Sequence, residues 1–147
     1  MAKSLSTSIY PGENLDCYLK EMGERGAREG VSRTLERTVG RYRLMVANGL
    51  PAWSVEEWTM AILILKSLDF WNPSSVDVLG LAIQQAMDQR RAAGQSDLGN
   101  FAYRAKTLSV FGRVAVAEVV ERYFRRHTAI EQSAVEQLLQ EMGAPKP

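Results

Sequence analysis

The chain has very few of the residues on which catalysis and metal chemistry depend. It carries one histidine, His127, and one cysteine, Cys17. A single histidine cannot build a multi-histidine metal site, and it argues against a Ser-His-Asp or Cys-His apparatus. A single cysteine excludes an internal disulfide and a thiolate zinc site. By its spacing Cys17 falls off the apolar face of its helix, and no cationic setting that would activate a thiol is visible around it, so it reads as a bystander. No G-x-G-x-x-G and no G-x-x-x-x-G-K-[ST] run is present, so the loops that cradle nucleotide phosphates are missing. The carboxylate pairs Glu56/Glu57 and Glu118/Glu121 fall on amphipathic helices, where a solvated face is the ordinary meaning of such charges. His127 follows Arg125 and Arg126 and reads as a basic helix-end residue. This inventory predicts a non-enzymatic protein with no metal and no cofactor.

Long apolar runs and a charge bias are lacking too. The run Met60 to Leu65 stops at Lys66, well short of the ~20 apolar residues a membrane span needs. Net charge is +1, from 18 basic and 17 acidic residues, so no overall field draws the chain to nucleic acid or membrane. The distribution is uneven: residues 50–99 hold three basic and six acidic groups, whereas residues 1–49 hold eight and six, and residues 100–147 seven and five. The opening MAKSLSTSIYP has no apolar signal region, so a cytoplasmic protein is expected.

What is present reads as helix. The stretch Trp58 to Leu68 organises the chain: Ser54 and Glu57 form an S-x-x-E capping box, and Trp53 and Trp58 stand where a hydrophobic staple packs. Apolar on every side, the Met60–Leu65 helix is expected to be the most buried element, with Leu63 and Leu65 in the core and Trp53, Trp58 and Trp71 packed around it. Before it, Leu15, Tyr18, Leu19 and Met22 mark a short amphipathic helix with Asn14 as N-cap. Val31, Leu35, Val39, Tyr42 and Val46 mark a second, ended by Asn48-Gly49 and Pro51. Arg33, Arg37 and Arg41 form a line on that second helix nearly opposite its apolar stripe. After the central helix come one over Val76–Ala92 capped by Ser74 and Asp77, and a long helical stretch over 98–126 with a break near Ser109 and Gly112. Its second half has an apolar face that includes Val110 and Phe111. A last helix is capped by Thr128 and Glu131. Only Ser4 to Tyr10 alternates with a period of two and reads as a strand. The predicted fold is all-α, a bundle of six or seven helices around a buried central helix, plus one short N-terminal strand. The predicted division is 1–49 and 50–147.

STSIYPGENLDCYL (Ser6 to Leu19) and GVSRTLERTVGRYRLM (Gly30 to Met45) together resemble the ribbon-helix-helix family, closest to its DNA-binding antitoxins and plasmid repressors. Members show an alternating strand, a helix opened by L-D (here Leu15-Asp16) and an arginine-rich helix opened by G-x-S-R (here Gly30 to Arg33). The chain differs in a longer stretch between these motifs and in carrying serines at the outward strand positions. The resemblance implies a homodimer whose paired strands enter the DNA major groove. It places Ser6 and Ser8 at the bases, Lys3 at phosphates, and Ser32 and Arg33 at a helix N-terminus suited to a phosphate. A lone strand in any case needs a partner for its unpaired backbone groups, and a second copy would serve.

Two classes of function follow. One is a DNA-binding transcription regulator with a helical, protein-binding extension. The other is a protein-binding inhibitor or adaptor from a plasmid or phage, of the anti-CRISPR-like kind, acting on a host protein or nucleoprotein complex; that placement is an analogy of size and kind. Arg33, Arg37 and Arg41 suit either partner, because a guanidinium grips phosphate or carboxylate with two parallel bonds.

Overall fold

The computed structural model describes residues 12–24, 31–70 and 72–147. Among them are seven helices and no strand: α1 (Glu13–Glu24), α2 (Val31–Gly49), α3 (Val55–Leu65), α4 (Pro73–Ala92), α5 (Phe101–Lys106), α6 (Val110–Arg126) and α7 (Gln132–Met142). The mainly helical fold class is as expected, while the strand expected at Ser4–Tyr10 and the packing role expected of Trp71 lie outside the described residues. The chain forms two compact units, Met1–Arg41 and Tyr42–Pro147, so that α2 runs through the division ahead of the Asn48–Ala52 punctuation.

The larger unit is built on α3. The Ser54 hydroxyl accepts from the Glu57 N–H at 3.1 Å and a Glu57 oxygen accepts from the Ser54 N–H at 3.0 Å, closing the capping box. The staple is in place as well, with the Trp53 and Trp58 rings 4.9 Å apart and Trp53 meeting Phe101 edge-on. Glu57 then does a second job: Arg104 of α5 donates both terminal nitrogens to its carboxylate and its Nε to Asn100. A carboxylate this buried needs such a partner, and the fork geometry of arginine satisfies both oxygens at once.

Three helices cover α3, namely α4, α6 and α7, and α5 packs on α4. Trp58, Ile62 and Leu65 meet Leu79, Ile83 and Met87 of α4, Val116, Val119 and Tyr123 of α6 and Val135 of α7 in one core, all of them fully buried. Burying a side chain such as Leu65 is worth roughly 1.5–3 kcal/mol. The α4–α5 contact is close because position 80 is glycine: a Cβ there would stand 2.7 Å from the Ala105 carbonyl oxygen. The break between α5 and α6 falls where expected, with Ser109 as N-cap accepting from the Gly112 N–H at 3.1 Å. Tyr123 ties α6 to the next connection, donating to the Ala129 carbonyl at 2.8 Å and accepting from the Glu131 N–H at 2.9 Å. Its ring also lies 4.8 Å from that of His127, the C-cap residue of α6.

Several local expectations are corrected. Leu63 is 43% exposed and outside the core, because α3 is covered by neighbours on one side only. Val110 and Phe111 are likewise exposed, since the buried side of α6 starts from Gly112 and Ala115. Asn14 lies inside α1, which begins at Glu13. Asn72, not Ser74, caps α4, accepting from the Ser74 N–H at 3.1 Å with Pro73 in the first turn. Asp77 instead faces Arg113 of α6 at 3.6 Å. Thr128 does not cap α7; Glu131 holds that position without a side-chain bond.

Candidate interaction surface on the second helix

In the smaller unit α1 is acidic, with Glu13, Asp16, Glu21 and Glu24 against Lys20, and the first half of α2 is basic, with Arg33, Arg37 and Arg41 against Glu36. The two helices meet at Tyr18. Thr38 Oγ1, which donates to the Thr34 carbonyl at 2.8 Å, lies 3.4 Å from the Tyr18 hydroxyl, and Thr34 is buried. Hydrogen bonding from Thr38 and then Arg37, with the positive charges of Arg37 and Arg41 adding, holds the Tyr18 phenol below its ordinary range. Contact on the Thr34–Thr38 side leaves Val39, part of the expected apolar stripe, half exposed.

The expected partner-binding residues therefore divide. Ser32, Arg33 and Arg41 are exposed, and Arg37 is half-buried beside Tyr18. Lys3, Ser6 and Ser8 lie outside the described residues. The spacing of Arg33, Arg37 and Arg41 is legible in the sequence, but the engagement of Arg37 with α1 is not, because it depends on which side of α2 the first helix takes.

Most of the arginines beyond this helix are paired with carboxylates, Arg90 being the exception, since it donates its Nε to the Ser96 carbonyl at 3.0 Å. Every arginine from Arg91 to the end of the chain has a carboxylate partner: Arg91 with Asp97, Arg104 with Glu57, Arg113 with Asp77, Arg122 with Glu118, Arg125 with Glu121 and Arg126 with Glu141. On α2, Arg33, Arg41 and Arg43 have no carboxylate partner among the described residues. Exposed guanidiniums of this kind are suited to an anionic surface.

At the start of the larger unit, Tyr42 donates its hydroxyl to Glu118 Oε2 at 2.9 Å, and the other oxygen of Glu118 accepts from Arg122 Nε at 2.9 Å. Burial, and then the neighbouring Glu118, push the Tyr42 phenol well above its ordinary value. This contact fixes the 42–49 end of α2 against α6, as does Gly49, whose absent Cβ would stand 2.6 Å from the Phe111 carbonyl oxygen.

Among the described residues no group of histidine, cysteine, aspartate and glutamate side chains is arranged to hold a metal ion, and no helix is long and apolar enough to cross a membrane. No family model, no curated protein and no solved structure matches the chain.

Proposed function

We propose that the protein is a non-enzymatic DNA-binding regulator of ribbon-helix-helix type, in which the first unit contacts DNA and the helical body serves as a protein-binding extension. The observation that carries this reading is the contrast in arginine pairing: carboxylates occupy the arginines from Arg91 onward, while Arg33 and Arg41 are exposed on α2 with no carboxylate partner among the described residues. The order of a period-two segment, a short acidic helix and a basic helix opened by Ser32-Arg33 supports it as well. In this reading Ser6 and Ser8 meet the bases, Lys3, Ser32, Arg33 and Arg41 meet phosphates, and Arg37 positions α2 through Tyr18. The alternation of Leu5, Thr7 and Ile9 supports a homodimer joined through that segment.

The test is the salt dependence of DNA binding by the Arg33→Gln/Arg41→Gln double variant. For every phosphate that a removed arginine had neutralised, the slope of log K against log salt should flatten by about 0.9. Affinity should fall for all sequences alike, while Arg91→Gln leaves the slope unchanged. Light scattering should report a dimer. A parent protein that binds no DNA, and is instead retained by a host nucleoprotein complex in an Arg33- and Arg41-dependent way, would replace this reading with that of an inhibitor of that complex.

A further inference from the structure

A second group of arginines comes together within the larger unit. A cavity of about 150 Å³ opens between three helices, lined by Arg43, Val46 and Ala47 of α2, Arg122 of α6, and Glu141 and Met142 of α7. Arg43 has no carboxylate partner among the described residues. Arg122 donates its Nε to Glu118 and also lines the cavity. Glu141 is bonded by Arg126 of α6. The lining thus holds two guanidiniums, from α2 and α6, against one carboxylate, with Val46, Ala47 and Met142 beside them.

We propose that this cavity binds a phosphate group. Arg43 and Arg122 line the cavity from different helices, so a ligand that bonds both must offer oxygens in more than one direction. A tetrahedral oxyanion does this, whereas the two coplanar oxygens of a carboxylate satisfy a single fork. Size agrees: about 150 Å³ has room for a phosphate or the phosphate end of a small ester. Glu141 lines the same cavity, and its charge opposes an anion there and keeps the affinity modest. The site is independent of the DNA reading, whose arginines lie on the first half of α2.

The experiment compares melting temperature and titration calorimetry in inorganic phosphate and in chloride at equal ionic strength. The parent protein should melt higher in phosphate, as a ligand of the folded state requires. Arg43→Gln, at an exposed position, should lose that rise, and Arg91→Gln, which does not line the cavity, should keep it. Glu141→Gln should tighten binding roughly tenfold, the scale of one close like charge partly exposed to water. A hydroxyl-ended DNA oligonucleotide that displaces phosphate in an Arg43-dependent way would assign the bound group to a nucleic-acid backbone; no displacement assigns it to a free phosphate or small ester. An equal melting temperature in the two salts for both the parent and Glu141→Gln, or a phosphate rise that survives Arg43→Gln, would overturn the proposal.

Discussion

Leu63 and Leu65 are two residues apart on one helix and differ completely in environment. Leu65 is fully buried against α4 and α6, while Leu63 faces solvent. Leu65→Ala should therefore cost roughly 2–5 kcal/mol in a denaturant titration, and Leu63→Ala should stay within about 0.5 kcal/mol of the parent. Equal losses would place Leu63 in the core. Tyr42 yields a prediction in pH. Its phenol is raised above the ordinary value of 10.0 by burial and by Glu118. A raised group contributes stability that is fully present below the unfolded value and is lost as pH rises toward the folded one. Stability should accordingly hold up to about pH 10 and decline above it, and Tyr42→Phe should flatten that alkaline decline. A decline as steep in Tyr42→Phe as in the parent would assign the effect elsewhere.

Two glycines make opposite predictions at the scale of the element. Gly40 lies inside α2, exposed, with open space where a Cβ would go, so nothing in packing requires it. Gly40→Ala should stabilise the helix by roughly 0.5–1 kcal/mol, the usual cost of an interior glycine. Gly80→Ala should instead force α4 away from the Ala105 carbonyl and cost about 1–3 kcal/mol, as overpacking does. Circular dichroism on melting checks both. What could be read from the sequence at this scale follows from range. The capping box at Ser54 and Glu57, the Trp53–Trp58 staple and the stop at Ser109 are legible because cause and effect lie within five residues. The exposure of Leu63, Val110 and Phe111 is not, because residue type marks an apolar side chain without saying which side of its helix acquires a neighbour. The Asn72 cap is masked in the sequence because Ser74 and Asp77 offer a competing signature two residues on. Of the candidate surfaces, the arginine line on α2 is visible as a spacing, whereas the meeting of Arg43 with Arg122 exists only once α2, α6 and α7 have packed.

For the whole molecule, the division into units bears on how stability is distributed. Tyr42–Pro147 holds the entire cluster of Trp58, Phe101, Tyr123 and their neighbours. Met1–Arg41 has the Tyr18–Thr38 contact and buried Thr34, at a length close to the ~40 residues below which a chain rarely sustains a core alone. One helix belongs to both. Amide exchange along α2 should therefore not follow the usual pattern of a protected middle and fraying ends. Protons from Leu35 to Arg41 should exchange through opening of the small unit alone, and those from Val46 to Gly49 only when the body opens, so that a single unbroken helix shows a step in protection near Tyr42. Mild denaturant should lower the first set while leaving the second untouched, and uniform protection from end to end would mean that the two units open as one.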